Sequence, residues 1–198
     1  MSEPDPSDKD LLRRMMAGDE DAFTALYRRR QAGVYRFALQ MSGSQAIAED
    51  VTQEVFLALM REASDYDPAR GSLTAYLYGM ARHQVLRCLR RQRPEASLAA
   101  VAEPARGGDD PLDDLTRRQS IDAVRGAVLA LPAHYREAVV LCDLHEMNYA
   151  EAAAALGCAV GTVRSRLYRA RELLAARLGA LRQAQPARPI VNPARCMI

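Results

Sequence analysis

Apolar side chains recur at steps of three and four over most of this chain, the spacing that places them on one face of an α-helix. In the first half, the pattern predicts helices within residues 19–43 and 45–63. After a loop at 67–71, a third helix is predicted to end in an arginine cluster, and Ser72 is placed to act as its N-cap. No stretch alternates in the manner of a β-hairpin, so the chain is predicted to be all-α.

A segment with three prolines and two adjacent glycines interrupts the helical pattern, and it is predicted to be a flexible linker. Helical spacing returns after it and lasts until a proline-rich tail. The prediction is therefore two small helical domains joined by the linker. The divisions are an N-terminal tail at 1–18, a first domain at 19–93, the linker at 94–111, a second domain at 112–182 and a C-terminal tail at 183–198.

The second domain contains the pattern of a helix-turn-helix. The helical stretches NYAEAAAAL and GTVRSRLYRARELLAARL are joined by the short turn GCAV. Gly157 is predicted to adopt the left-handed conformation that ends the first helix, and the small Ala153 lets the two helices approach closely. Val163 and Leu167 are then predicted to point into the angle between the helices.

The remaining side chains of the second helix are predicted to face outward and to be largely cationic. Arginine can bond guanine or clasp phosphate, and such a helix can lie in the major groove of DNA. Between residues 149 and 182 there are six arginines against two glutamates. The alternative is a solvated basic face in an ordinary helical bundle. The outward residues are Thr162, Arg164, Ser165, Arg166 and Arg169.

An acidic face is predicted on the second helix of the first domain. Glu49 and Gln53 are four residues apart, as are Asp50 and Glu54, so all four share one side of the helix. This face could dock against a basic helix of a partner protein. The alternative is a solvated face of an amphipathic helix, which spacing alone does not exclude.

The third helix of the first domain combines aromatic and basic side chains. Arginine beside tyrosine suits single-stranded nucleic acid, since rings stack on unpaired bases and cations follow the backbone. The alternative is that the tyrosines belong to the core and the arginines are a solvated helix end. The tyrosines are Tyr66, Tyr76 and Tyr78, and the arginines are Arg82, Arg87, Arg90, Arg91 and Arg93.

Composition limits these interpretations. The formal net charge of the 198 residues is only +2, so any affinity for nucleic acid must come from local patches. No apolar run is long enough to span a membrane, and the acidic N-terminus is unlike a signal peptide, so a cytoplasmic protein is expected.

The cysteines and histidines carry little predicted chemistry. The four cysteines are far apart and form no CxxC pair, so neither a disulfide framework nor a metal site is expected. Cys142 and His145 are three residues apart but lack two further ligands at zinc spacing. Cys158, in the turn, could sense oxidants, but a small apolar turn residue is the favoured interpretation.

Taken together, four collinear stretches resemble bacterial RNA polymerase sigma factors of the extracytoplasmic-function group, the minimal two-domain kind. The resemblance covers about residues 19–178. The stretches are AEDVTQEVFLALMR, GSLTAYLYGMARHQVLRCLRR, LPAHYREAVVL and NYAEAAAALGCAVGTVRSRLYRARELL.

This resemblance implies a role for each surface. The residues Glu49, Asp50, Gln53 and Glu54 would bind the β′ coiled coil of core RNA polymerase. The factor would also contact the β subunit of the polymerase. The residues Tyr76, Arg82, His83, Arg87, Arg90 and Arg91 would capture and melt the promoter −10 element. The residues Thr162, Arg164, Ser165, Arg166 and Arg169 would recognise the −35 element. The linker would thread toward the RNA exit channel.

The chain departs from the family pattern in the −10 region. A tryptophan is common where Tyr76 stands, an asparagine where His83 stands and an aspartate where Arg87 stands. The core-binding helix and the −35 helix are closer to the pattern.

The resemblance also implies partners and an absence of chemistry. Core polymerase and promoter DNA are the expected partners, together with an anti-sigma factor that could hold the protein at the membrane. We expect no catalytic residue, cofactor, metal or small-molecule substrate, and P-loop, GxSxG and HExxH motifs are lacking. The alternative is a stand-alone helix-turn-helix regulator, which would bind duplex DNA without polymerase.

Overall fold

The computed structural model describes residues 5–92 and 111–184. Within these ranges all regular structure is helical, which confirms the all-α prediction. The predicted linker, apart from Pro111, lies outside the described residues, as does the tail from residue 185. The helices are α1 (Asp8–Met16), α2 (Glu20–Ser42), α3 (Gln45–Glu62), α4 (Leu73–Gln92), α5 (Pro111–Leu129), α6 (Ala133–Val139), α7 (Tyr149–Leu156) and α8 (Val160–Ala184).

Helix α1 lies within the segment that the sequence analysis assigned to an N-terminal tail. Its Leu11 and Leu12 are buried against α2, and the Ser7 hydroxyl accepts a hydrogen bond from the Asp10 amide as the N-cap. Asp8 pairs with both Arg29 and Arg30 of α2. Nine residues give too few turns for a periodic pattern to stand out, which is why this helix was not predicted.

Helices α2, α3 and α4 form the first domain around buried side chains such as Phe37 and Leu59. Gly43 ends α2 in the left-handed conformation, with φ of 72°. The Ser72 hydroxyl accepts a hydrogen bond from the Ala75 amide at 3.2 Å, so its predicted capping role is confirmed. A single 3₁₀ turn, Ala63–Asp65, follows α3 and leads into the loop before α4.

Helices α7 and α8 form the predicted helix-turn-helix. Gly157 ends α7 with φ of 62°, and Val163 and Leu167 are buried between the two helices, as the sequence analysis expected. Asn148 and Glu151 form a capping box at the start of α7. Helix α6 continues into a π-helical turn, Val140–Leu144, which packs beside α7.

The two domains pack directly on each other and share one hydrophobic core. Helix α4 approaches α7 so closely that a Cβ added at Gly79 would lie 3.3 Å from the Ala155 carbonyl oxygen. Arg136 of α6 donates hydrogen bonds to the carbonyl oxygen of Met41 at the end of α2 and to those of Leu129 and Leu131. The Arg136 side chain therefore connects the C-terminal ends of α2 and α5 through hydrogen bonds.

His145 is a half-buried titratable group at this junction. Its Nε2 lies 2.9 Å from Gln40 Oε1, and its Nδ1 lies 2.9 Å from the Tyr78 hydroxyl. Because the Gln40 oxygen only accepts, the network assigns the proton to Nε2 and makes Nδ1 the acceptor. Burial, with a smaller effect of Arg36, lowers the pKa of His145 to about 4. Both ring nitrogens are occupied, so His145 does not offer Cys142 a second metal ligand.

We expect the stability of the protein to fall as the pH drops through this window. The folded pKa of about 4 lies below the ordinary value of 6.5, so the unfolded chain binds the proton more readily between these values. The contribution of neutral His145 is therefore complete above pH 6.5 and is lost as the pH falls toward 4. From about 1.4 kcal/mol per pKa unit, reduced for partial solvent exposure, the loss should be about 2 kcal/mol.

Urea unfolding at a series of pH values measures this effect. His145→Gln keeps a donor and an acceptor but does not titrate, so its stability should change less than that of the wild type between pH 6.5 and 4. His83→Gln, at an exposed histidine of α4, is the matched control and should follow the wild type. A constant difference between wild type and His145→Gln across the window would contradict the assignment.

Candidate nucleic-acid interface

The first turns of α8 present the cationic face that the sequence predicted. Val163, Leu167 and Ala170 anchor the helix in the core, which leaves Arg164, Arg169 and the short Ser165 exposed on the other side, with Thr162 half-buried. A shallow groove runs between this face and His134 and Tyr135 of α6. The groove is open to solvent and rimmed by guanidinium groups, which suits a polyanionic ligand.

The two exposed arginines, Arg164 and Arg169, make only surface contacts with neighbouring side chains. The Arg164 guanidinium lies 5.6 Å from the centre of the Tyr149 ring. Arg169 donates a hydrogen bond to Glu172 at 2.8 Å, one turn further along α8, and this carboxylate raises the pKa of Arg169. Both contacts lie at the surface, where such pairs contribute little to stability because water screens them. Both side chains are therefore free to exchange these partners for phosphate or a base edge.

Tyr168 belongs to the same surface and was not predicted. It lies between the arginine positions on α8, lines the groove, and is 67% exposed. Its exposure contrasts with the burial of its neighbours Leu167 and Ala170 on the same helix. The sequence signal was ambiguous because a tyrosine within an apolar-polar pattern fits either the core or the surface.

Arg166 was predicted to face outward, and this prediction is wrong. Its side chain turns toward α6, where its Nη1 lies 4.0 Å from Glu137 Oε2. The Glu137 side chain is buried, and an ionised carboxylate in the protein interior needs a nearby cation. The glutamate therefore draws Arg166 away from the exposed face that Arg164 and Arg169 occupy.

Arg82 of α4 also binds Glu137. Its Nε donates to Glu137 Oε1 at 2.8 Å, across the junction between the two domains. The sequence grouped Arg82 with the other arginines of α4, and the structure separates it from them. Arg82 is partly buried and paired, whereas His83, Arg87, Arg90 and Arg91 are exposed along the outer side and end of the helix.

The three tyrosines of the first domain occupy different environments. Tyr78 is a core residue: it is buried, stacks on Phe37 at 5.4 Å and binds His145. Tyr66 and Tyr76 are half-buried with ring centres 5.5 Å apart. Burial raises the pKa of both, so both phenols stay neutral. The core interpretation therefore holds for Tyr78, and the other two tyrosines remain accessible.

Tyr66 and Tyr76 line a crevice of about 860 Å³ between the domains. Met80 of α4 faces Ala153 and Cys158 of the helix-turn-helix across it. The crevice is bounded on one side by the loop before α4, whose Asp67 side chain accepts a hydrogen bond from the Ala69 amide.

The acidic face of α3 is exposed, as predicted, and extends further than the sequence analysis proposed. Glu49, Asp50, Gln53 and Glu54 all lie at the surface. One and two turns later on the same side, Leu57 is 41% exposed and Met60 is 56% exposed. Met60 lies four residues after the buried Phe56, a spacing typical of a core stripe, so its exposure was not predicted. The complete surface is a row of carboxylates followed by two apolar side chains.

Two other expectations concern cysteines and metals. Burial raises the pKa of Cys142, which disfavours a reactive thiolate. Cys158 is half-buried in the crevice wall.

Among the described residues, no three His, Cys, Asp or Glu side chains are grouped as metal ligands would be. None of the described helices is both long and apolar enough to cross a bilayer.

Both domains match known family profiles. Residues 26–95 match Sigma-70 region 2, and residues 121–174 match Sigma-70 region 4. The gap between the two matches, residues 96–120, contains all of the predicted linker except its first two residues.

The chain is also similar to individual sigma factors. It is 36% identical over 167 residues to the ECF RNA polymerase sigma factor SigE of Mycolicibacterium smegmatis. The aligned segment covers 79% of this chain and 63% of SigE. It is 36% identical over 180 residues to the ECF RNA polymerase sigma factor SigM of Mycobacterium tuberculosis. This second alignment covers 88% of this chain and 86% of SigM.

Two solved structures resemble the whole arrangement. One is CnrH in complex with the cytosolic domain of CnrY, at a TM-score of 0.67 and 27% identity, covering 87% of this chain and 97% of that one. The other is the sigma factor RpoE in complex with the anti-sigma factor NepR from Bartonella quintana. Its TM-score is 0.60 at 26% identity, covering 75% of this chain and 91% of that one.

Proposed function

This chain belongs to the extracytoplasmic-function group of RNA polymerase sigma factors, and we propose that it binds core polymerase through α3 and promoter DNA through α4 and α8. As a member of this family it is a promoter-directing initiation factor and not an enzyme. The first domain, proposed at 19–93, would serve core polymerase and the −10 element. The second, proposed at 112–182, would serve the −35 element.

The observation that carries the proposal is the separation of opposite charges on different helices. Glu49, Asp50 and Glu54 are exposed on α3, whereas Arg164 and Arg169 are exposed on α8. A regulator that only binds DNA has no need of an exposed acidic row beside two apolar side chains. A protein that joins a basic partner helix to DNA needs both surfaces.

The α3 surface fits a helical partner such as the β′ coiled coil of core polymerase. Carboxylates at one end of the row would pair with basic side chains, and Leu57 and Met60 would pack against apolar ones. Docking of this kind buries an exposed apolar pair without disturbing the core below it. Contacts of the second domain with the β subunit are proposed from family membership.

The exposed face of α8 fits the major groove at the −35 element. Arg164 and Arg169 are the proposed base or phosphate contacts, with Thr162, Ser165 and Tyr168 beside them. Arg166 would join this face after it leaves Glu137.

The outer side of α4 fits the −10 element. His83, Arg87, Arg90 and Arg91 would follow the phosphate backbone, and Tyr76 would stack on an unpaired base at the mouth of the crevice. Capture of flipped bases offsets the free energy of unstacking them, so melting would require no catalytic group. Arg82 would contribute after it leaves Glu137.

An anti-sigma factor is the proposed regulator. One similar solved structure is a sigma factor in complex with an anti-sigma factor. Tethering at the membrane would come from such a partner.

Run-off transcription tests the proposal as a whole. Purified core polymerase with this chain should initiate at specific sites of a genomic template library, and core polymerase alone should not. Strong specific duplex binding by the free chain, without stimulation of polymerase, would instead favour the stand-alone regulator.

We expect Arg164→Ala and Arg169→Ala each to weaken binding of the holoenzyme to its promoter roughly tenfold, because each removes a guanidinium contact to DNA. Electrophoretic mobility shift with the promoter recovered by run-off transcription measures the loss. Arg125→Ala, at an exposed arginine of α5, is the control and should bind normally. Equal losses of affinity for core polymerase in both α8 variants would contradict the division of surfaces.

We expect Asp50→Lys and Glu54→Lys each to reduce affinity for core polymerase at least tenfold, because each places a cation where a basic partner helix would dock. Co-elution with core polymerase measures binding, and circular dichroism checks that the fold is intact. Asp122→Lys makes the same charge reversal on exposed α5 and should bind normally. A melted spectrum for the α3 variants would show that these carboxylates are structural.

A further inference from the structure

The two exposed arginines of α8 differ in the chemistry of the side chain that holds them. Arg169 donates a hydrogen bond to the Glu172 carboxylate at 2.8 Å, a partner that competes with DNA for the same N–H groups. The Arg164 guanidinium instead lies over the ring of Tyr149, 5.6 Å from its centre. A ring face attracts the charge of a guanidinium without taking up its N–H groups in directed hydrogen bonds, so Arg164 keeps these donors for a ligand.

Tyr149 has a fixed position relative to α8. It is the first residue of α7 and directly follows Asn148, whose side chain caps the helix by accepting hydrogen bonds from two amides of the first turn. The segment before α7 is joined to α8 by Arg171, which donates two hydrogen bonds to Asp143 at 2.6 and 3.2 Å. Because both of these contacts hold the start of α7 in place, the ring can support the arginine side chain that lies over it.

Such support matters for a base contact more than for a phosphate contact. An exposed arginine samples many rotamers, and pairing with guanine requires its guanidinium plane to meet the base edge through two hydrogen bonds. Restriction of the side chain before binding reduces the conformational entropy that is lost on binding. A phosphate contact is less demanding, since phosphates of the same shape line the whole duplex.

We propose that Tyr149 is a positioning residue for promoter recognition, whose ring orders the Arg164 guanidinium for one base pair of the −35 element. Arg164 keeps its contact with the ring while it binds DNA, whereas Arg169 has to leave Glu172. Tyr149 therefore acts on the choice of base more than on general affinity for DNA. The inference rests on the proposed function, since it takes Arg164 to contact the −35 element.

Substitution of Tyr149 in the holoenzyme tests this role, with the promoter duplex recovered by run-off transcription as the probe. Tyr149→Leu removes the ring but places a residue that favours a helix, so α7 should remain folded. It should weaken promoter binding about fivefold, because Arg164 loses its support. It should also reduce discrimination at the one base pair where Arg164→Ala reduces it, and duplexes changed at other −35 positions should keep their wild-type ranking. Tyr149→Phe is the matched control, since it keeps the ring and should bind as the wild type does.

A double-mutant cycle separates positioning from a direct or merely structural role. In the Arg164→Ala background no guanidinium lies over the ring, so Tyr149→Leu should cause no further loss of promoter binding. A loss that persists in this background would mean that Tyr149 contacts DNA itself or supports the fold, and the inference would be overturned. An equal loss in Tyr149→Phe would assign the effect to the hydroxyl group and would overturn it as well.

Failure of this inference can be distinguished from failure of the proposed function. If the wild-type holoenzyme initiates at specific sites while Tyr149→Leu binds them normally, only the role of Tyr149 is refuted. A wild-type chain that does not stimulate core polymerase at any site would refute the proposed function and, with it, any role of Tyr149 in promoter recognition.

Discussion

The need to compensate one buried negative charge organises the centre of this protein. Glu137 is 1% exposed, and an unpaired carboxylate in such a place costs several kcal/mol. Arg82 and Arg166 supply the positive charge, one from each domain. Because both pair with Glu137, movement of either arginine changes the charge balance around the carboxylate. Oε2 of Glu137 has no hydrogen bond in the described part of the chain, and Nη1 of Arg166 lies 4.0 Å from it. Loss of Arg82 would therefore strengthen the attraction between Glu137 and Arg166, so the orientation of this α8 side chain depends on the domain junction.

The alanine-rich helix α7 meets two packing demands at once. Ala153 is buried where α7 approaches α8, and Ala155 meets α4 of the other domain. A helix-turn-helix by itself explains the small residue at 153. The further small residues on α7 allow a second close approach, made possible from the other side by Gly79 and Gly71. The same eight-residue helix thus supports both the helix-turn-helix and its contact with the first domain.

Local features of this fold could be predicted from the sequence, and long-range ones could not. Helical spacing, the left-handed Gly157 and the Ser72 cap depend on residues a few positions apart, so their patterns are visible in the chain. The pairings of Arg82 with Glu137 and of Tyr78 with His145 join residues 55 and 67 positions apart. No periodicity distinguishes Arg82 from Arg87 on the same helix. Met60 shows the converse limit, because it follows the buried Phe56 at a core-like spacing and is nevertheless exposed.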